Sequence, residues 1–134
     1  MSQTRTNARQ SAVQALYQWQ MTGQNLNDIE RQFIQEGRLK NVQRSYFVEL
    51  FHGVPKHLDV IDQTLAEFVD RDVEKIDPVE RAILRVGVYE LLNRLDVPYR
   101  VILNEGINLA KLYGADESHK YINGILDKVA QQRR

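Results

Sequence analysis

A chain of 134 residues is long enough for one domain, or for two small lobes that share a core. Its 18 basic and 18 acidic residues cancel, so overall charge does not mark a nucleic-acid binder, and such a site must come from local clustering. The lack of cysteine excludes disulfides and thiolate metal sites, and no apolar run approaches the roughly 20 residues of a membrane-spanning helix. The first ten residues lack the apolar core of a secretion signal, so we expect a cytoplasmic protein.

The first half of the chain has the pattern of four amphipathic helices joined by polar turns. Apolar residues recur three and four positions apart in each of them, and glycine, asparagine or proline stands at the breaks. The predicted helices run from a cap at Thr4 or Thr6 to about Gln20, over 26–37, from a cap at Asn41 to about Pro55, and over 58–69. A charged connector, residues 71–76, follows them.

The fifth helix is predicted to be the central one. Asp77 is a good N-cap, Pro78 suits the first turn, and Glu80 can complete a capping box. Apolar residues fall nearly all the way round this helix, which is typical of a helix packed by several neighbours rather than of a surface helix. We expect it to cover residues 79–95, because the residue before Pro98 avoids the helical region.

Two more helices complete the chain. The sixth is predicted from about Tyr99 to Tyr113, two-faced, and ended by Gly114 in a left-handed conformation. Acidic residues and the hydroxyl of Ser118 then suit the start of a last helix. Because no segment shows the strict alternation of a half-buried strand, the fold class is all-α with about seven helices.

Signals for catalysis or metal binding are weak. His52 and His57 are five residues apart across Gly53 and Pro55, a spacing that does not put both imidazoles on one helix face. The acid pairs Asp59/Asp62 and Asp70/Asp72 are better explained as solvated helix surface and loop than as a general acid–base pair. We therefore predict no catalytic residue, no metal site, no cofactor and no enzymatic activity.

Binding residues are easier to find, on three helices. Arg9 and Tyr17 lie off the core stripe of the first helix, with Arg5 one turn earlier. If this helix packs beside the sixth and seventh, their residues join Lys111, Glu117, His119, Lys120 and Tyr121 in one basic, aromatic patch. Such a patch suits single-stranded RNA, since aromatic rings stack unpaired bases and cations meet phosphates. The structural alternative is a half-buried packing Tyr17, solvated arginines and an ordinary exposed first turn at His119 and Lys120.

Several strings of the sequence closely resemble the NusB family of bacterial transcription antitermination factors: AVQALYQW, ERAILR, YELL, DVPY, NEGINLAK and SHKYINGILDK. The resemblance implies a compact fold of two small helical bundles around the central helix, with lobes of about 1–76 and 77–134. It implies binding of the boxA RNA element of ribosomal-RNA transcripts together with a small-subunit ribosomal protein that acts as the factor NusE. Other Nus factors and elongating RNA polymerase are the implied further partners.

The resemblance also implies roles for individual residues. Arg5 and Arg9 match the arginine-rich N-terminal arm, and Tyr17 the RNA-facing tyrosine. Lys111, Glu117 and Tyr121 fall where the family has further RNA and partner contacts, while Phe68 and Glu80 match positions that face the ribosomal protein. The arm is sparser than in many members, since TRTNARQ has no adjacent arginines. We therefore expect weak RNA binding by the protein alone.

Two alternatives remain from the sequence. The chain can be a helical protein–protein adaptor without direct RNA binding, or an accessory module related to the NusB-like region of some ribosomal-RNA methyltransferases. Under every one of these interpretations, including RNA binding, we expect a monomer or a weak homodimer without membrane association.

Overall fold

The computed structural model describes residues 2–134 and confirms the all-α class. This part of the chain forms seven α-helices, with no β-strand between them. They are α1 (Gln3–Thr22), α2 (Leu26–Gln35), α3 (Arg44–Lys56), α4 (Leu58–Ala66), α5 (Pro78–Asn93), α6 (Tyr99–Tyr113) and α7 (Ser118–Arg133), with a short 3₁₀ helix, Val73–Lys75. None of the helices in residues 2–134 combines the length and apolar character needed to cross a bilayer.

The helices group into two compact units, of which the first ends at Lys56 and the second is His57–Arg134. The division precedes the lobe boundary expected near residue 76, because α4 packs on α5 and belongs to the second unit. In the first unit α1 packs against both α2 and α3. Phe33 of α2 stacks on Phe47, which in turn stacks on Phe51, and these rings fill the interior of that unit.

In the second unit α5 is the central helix, as predicted. The Asp77 carboxylate accepts hydrogen bonds from the backbone N–H groups of Val79 and Glu80, both at 3.1 Å, which caps the helix. Every residue from 81 to 91 is buried, and α4, α6 and α7 all pack on this helix. The helix is two residues shorter at its end than expected, and Leu95 is 71% exposed in the turn beyond it.

Close packing of three helices depends on two glycines. A Cβ added at Gly87 of α5 would lie 2.8 Å from both Leu126 methyls, and one at Gly106 of α6 would lie 2.9 Å from Leu126 Cδ1. Leu126 of α7 is fully buried, so its side chain fills the space that the two missing side chains leave. The two glycines therefore set the distances at which α5 and α6 approach α7.

Two ion pairs of the buried Arg85 fasten α4 and the 3₁₀ helix to α5. The Arg85 guanidinium donates two hydrogen bonds to the Asp62 carboxylate, at 3.0 and 2.8 Å, and a third to Glu74 at 3.2 Å. Nearby, Arg81 Nη1 donates to the backbone carbonyls of Glu74 and Ile76. The interpretation of Asp62 as a merely solvated carboxylate was wrong, because the apolar pattern of α5 does not reveal which way its arginines point.

At three helix ends the capping residue or its backbone conformation differs from the prediction. Ser2, rather than Thr4 or Thr6, caps α1 by accepting from the Arg5 N–H. Asn41 does not cap α3 but takes a left-handed conformation, φ +57°, and the first bonds of α3 go to the Gln43 carbonyl. Gly114 was expected to be left-handed, yet it is extended, with φ −88° and ψ 173°.

Candidate nucleic-acid interface

The predicted line of off-core residues on α1 is only partly at the surface. Arg9 is 1% exposed and its guanidinium lies 5.3 Å from the centroid of the Tyr46 ring. Val13, which lies between Arg9 and Tyr17 on the same side of the helix, is also buried. Tyr17, one turn further on, is 39% exposed. The burial of Arg9 does not fit a direct phosphate contact, because a guanidinium that reaches RNA must first reach solvent. Its position against Tyr46 instead suits a role in fixing α1 on α3.

Arg5 is the outward cation of this helix. Its guanidinium lies over the same Tyr46 ring, at 4.3 Å, and its Nε donates to Gln43 Oε1 at 3.3 Å. A cation–π contact and a hydrogen bond hold the side chain in place while leaving it partly in solvent. The structural alternative of freely solvated arginines is therefore wrong for both Arg5 and Arg9.

In the second unit, the start of α7 faces the segment after α4 across an open groove of about 320 Å³. We call this the α7 groove, lined by Phe68, Val69, Asp70, Lys120, Tyr121, Gly124, Ile125 and Lys128. Tyr121, Gly124 and Lys128 recur at helical spacing along one side of α7. Three residues predicted from the sequence, namely Phe68, Lys120 and Tyr121, come together here.

Tyr121 has an unusual environment within the groove. Its hydroxyl oxygen is buried and has no hydrogen-bond partner among the described residues. The Arg71 guanidinium lies 5.7 Å from the ring centroid and is paired with Asp70 at 3.0 Å. Burial raises the pKa of the Tyr121 hydroxyl, Arg71 opposes this and the Glu80 and Asp70 charges reinforce it. The phenol therefore stays protonated near neutral pH, available as a donor or an acceptor.

Residues at the head of α7 are held by two polar contacts. Buried Ser118 donates from its hydroxyl to the Glu80 carboxylate at 2.8 Å, so Glu80 joins α5 to α7. Ser118 was expected to cap α7, and Glu80 was expected to complete a capping box at the start of α5. In the structure the two side chains bond to each other, and the N-cap position of α7 is held by Glu117. Glu117 precedes the helix in a left-handed conformation, φ +71°, and its carboxylate pairs with Lys120 at 2.8 Å.

The other predicted residues lie on the same unit at the surface. Lys111 is exposed on the polar side of α6, and His119 is partly exposed in the first turn of α7. Sequence reasoning missed Lys128 and the pair Asp70–Arg71 as part of this region. Lys128 lies seven residues after Tyr121, so helical periodicity alone was a sufficient signal for it. Asp70 and Arg71 come from an irregular segment whose path depends on tertiary contacts.

His52 and His57 have partners in keeping with structural roles. His52 Nε2 lies 2.6 Å from Glu30 Oε1, between α3 and α2. His57 meets the Tyr89 ring edge-on, with centroids 5.8 Å apart. Within residues 2–134, no three potential metal-ligating side chains cluster together.

Comparison with known proteins identifies the family of this fold and surface. The family model described as "NusB family" matches residues 6–131. The chain belongs to the NusB family. It is 52% identical to the transcription antitermination protein NusB of Pseudomonas savastanoi pv. phaseolicola, covering 99% of this chain and 81% of that protein. It is 50% identical to the NusB protein of Nitrosococcus oceani, covering 100% and 90%. The chain is thus a transcription antitermination factor, and NusB is not an enzyme family.

Solved NusB structures have the same fold. A crystal structure of antitermination factors NusB and NusE in complex with dsRNA superposes with a TM-score of 0.89 at 26% identity, covering 98% of this chain and 99% of that one. The structure of T. maritima NusB superposes with a TM-score of 0.86 at 29% identity, covering 99% of this chain and 94% of that one. The resemblance read from the sequence motifs is confirmed.

Proposed function

We propose that this NusB-family factor binds a single-stranded, boxA-like segment of a ribosomal-RNA transcript jointly with a small-subunit ribosomal protein that acts as NusE. The observation that carries the proposal is the α7 groove, where an aromatic ring with an unpaired hydroxyl lies between lysines. Unpaired bases stack on aromatic rings of this kind, and the phosphates beside them pair with the lysine ammonium groups. The NusB relative solved with NusE and dsRNA supports NusE and RNA as the classes of partner, while the preference for a single strand rests on the groove and on the resemblance.

The residue roles combine what the family resemblance implies with the exposure and charge of each side chain. For RNA, the contacting residues are Arg5, Tyr17, Lys111, Glu117, His119, Lys120 and Tyr121, with Arg9 acting indirectly through its packing on Tyr46. For the ribosomal protein they are Phe68, Glu80, Glu117 and Tyr121. In a bacterial cell the complex acts in the cytoplasm, together with other Nus factors and RNA polymerase.

One set of contacts favours a second candidate, a protein adaptor that does not touch RNA. Lys120 is paired with Glu117 and Arg71 with Asp70, so acids already neutralise two cations in or beside the α7 groove. Both pairs are exposed, however, and exposed pairs contribute little free energy, so phosphates can displace the acids at small cost. The neutral overall charge predicts that RNA binding by the chain alone is weak and that the ribosomal protein strengthens it.

A titration of labelled boxA-like RNA, with and without the ribosomal protein, tests the proposal. We expect saturable binding with the ribosomal protein present, weaker binding without it, and preference for single-stranded RNA over a duplex of the same sequence. Tyr17→Ala should cost about 1–3 kcal/mol if a base stacks on this ring. Met21→Ala, one turn further along α1 and also exposed, is the matched control and should leave binding unchanged. Binding of the ribosomal protein without any saturable RNA signal would establish the adaptor instead.

A further inference from the structure

Acidic residues are absent from two stretches of this neutral chain. Neither residues 2–27 nor residues 37–48 contain an aspartate or glutamate, so all 18 acids lie elsewhere. The two stretches hold five cations: Arg5, Arg9, Arg38, Lys40 and Arg44. A molecule with zero net charge therefore has a strongly basic portion in its first unit. Electrostatic attraction of a phosphate depends on the local field of such a portion rather than on the net charge of the whole chain.

The fold brings these two stretches side by side. The segment between α2 and α3 runs along the first half of α1, in the opposite direction. At one end the Gln43 N–H donates to the Thr4 carbonyl at 3.0 Å, and at the other Arg38 Nη2 donates to Gln14 Oε1 at 2.6 Å. Between them, Asn7 Nδ2 donates to the Asn41 carbonyl at 2.9 Å.

The backbone of this segment is shaped by two residues with positive φ. Gly37 has φ +70° and Asn41 has φ +57°, conformations that glycine and asparagine tolerate best. Leu39, between them, is buried. With Leu39 pointing inward, the neighbouring Arg38 and Lys40 side chains both remain exposed, as does Arg44 at the start of α3. We call Arg38, Lys40 and Arg44 the basic turn.

The basic turn extends along α1 from the neighbourhood of Tyr17 to that of Arg5, two residues assigned to RNA. Arg38 bonds Gln14, which lies three residues before Tyr17 and is therefore its neighbour on the surface of α1. At the opposite end, Arg44 follows Gln43, whose side chain bonds Arg5. Arg38 is also the most restrained of the three, over the Phe33 ring at 3.7 Å and paired with Glu36 at 3.2 Å. Among the described residues 2–134, no ion pair involves Lys40 or Arg44.

We propose that the basic turn is a second phosphate-binding surface, which guides the RNA strand along α1 between Tyr17 and Arg5. This inference rests on the proposed RNA-binding function. With Arg9 buried, α1 alone presents only Arg5 to phosphates, and the turn adds three cations beside it. Cations strung along a helix edge next to an exposed tyrosine match a nucleic-acid backbone with one stacked base.

The test replaces the two unrestrained cations together, Lys40→Gln with Arg44→Gln, in the full chain with the ribosomal protein present. The matched control removes one arginine and one lysine that are exposed in the same unit but outside the turn, Arg31→Gln with Lys56→Gln. Single-stranded RNA affinity is measured from 50 to 200 mM salt. Because both positions are exposed, circular dichroism and thermal melting should show native folding for each variant.

Loss of two phosphate contacts should make the slope of log affinity against log salt shallower by about 1.4, at about 0.7 per contact for single strands. The affinity advantage of the wild-type chain over the variant should therefore shrink about sevenfold between 50 and 200 mM salt. The control should keep the wild-type slope, and the exchange Lys40→Arg with Arg44→Lys, which preserves charge, should restore it.

Two results would overturn the inference while leaving the proposed function intact. In one, the wild-type chain binds RNA and the Lys40/Arg44 variant has the same slope and affinity. In the other, the variant loses the ribosomal protein but keeps the RNA slope, which would make the turn a protein-docking surface. A wild-type chain that binds no RNA even with the ribosomal protein would instead contradict the proposed function itself.

Discussion

At the scale of single residues, arginines illustrate how position decides role. Arg9, Arg81 and Arg85 are all buried, and each is held by a ring, by carbonyls or by carboxylates of its own unit. Arg134 donates to four backbone carbonyls at and beyond the end of α5: those of Glu90, Leu91, Arg94 and Val97. Two of these carbonyls, those of Glu90 and Arg94, also accept a backbone N–H, so the guanidinium adds a second hydrogen bond to each of them. Cations counted from the sequence therefore overstate what the surface offers to RNA.

Tyr121 gives a prediction at this scale. Its buried hydroxyl has no partner in residues 2–134, and leaving such a group unsatisfied costs free energy. Tyr121→Phe should therefore raise the free energy of unfolding by about 1 kcal/mol. In urea denaturation the midpoint should rise with an unchanged m-value. The same variant should weaken RNA binding if a base or phosphate satisfies the hydroxyl in the complex. A lower midpoint would mean that the hydroxyl already has a partner in the free protein.

At the scale of elements, local signals in the sequence predicted the helices better than their ends. The cap at Asp77 and the span of α6 were correct because capping residues and Pro98 act locally. The predictions that Asn41 caps α3 and that Gly114 is left-handed were wrong. Asparagine and glycine each suit several turn conformations, and tertiary contacts choose between them. The end of α3 at Lys56 is one residue from the end expected at about Pro55.

Gly87 and Gly124 provide a matched pair at this scale. Alanine stabilises the interior of a helix by about 1 kcal/mol relative to glycine. Gly87→Ala and Gly124→Ala therefore gain the same stabilisation from helix propensity. At Gly124 nothing lies within 4 Å of the added Cβ, and Gly124→Ala should stabilise the protein by about 0.5–1 kcal/mol. At Gly87 the new methyl overlaps Leu126, which is enclosed on α7, and Gly87→Ala should cost about 1–3 kcal/mol net. Equal melting temperatures for the two variants would refute the account of helix packing.

The candidate site shows the same division between local and tertiary information. Lys120 and Tyr121 are adjacent in the sequence, and helical spacing from Tyr121 also predicts Lys128. Phe68 was associated with the site only through the family resemblance; it was predicted to belong to the fourth helix, but α4 ends two residues before it. The basic turn was not found at all, because its cations are separated from Arg5 by more than 30 residues and meet α1 only in the fold.

At the scale of the whole molecule, neutrality is the property that shapes function. A chain with balanced charge avoids strong nonspecific attraction to nucleic acid, and we propose that its affinity for RNA comes from a few cations at defined places. Such a factor is well suited to act only when a second protein is bound to the same RNA. Cooperation of this kind requires that each ligand strengthens the binding of the other by the same factor.

Reciprocal titrations measure this coupling most directly. The dissociation constant of boxA-like RNA is determined with and without saturating ribosomal protein, and that of the ribosomal protein with and without saturating RNA. Joint binding predicts that both constants fall, and by the same factor, on the order of 5–150-fold. Two constants that do not change when the other ligand is added would contradict the claim that this chain and the ribosomal protein hold the transcript together.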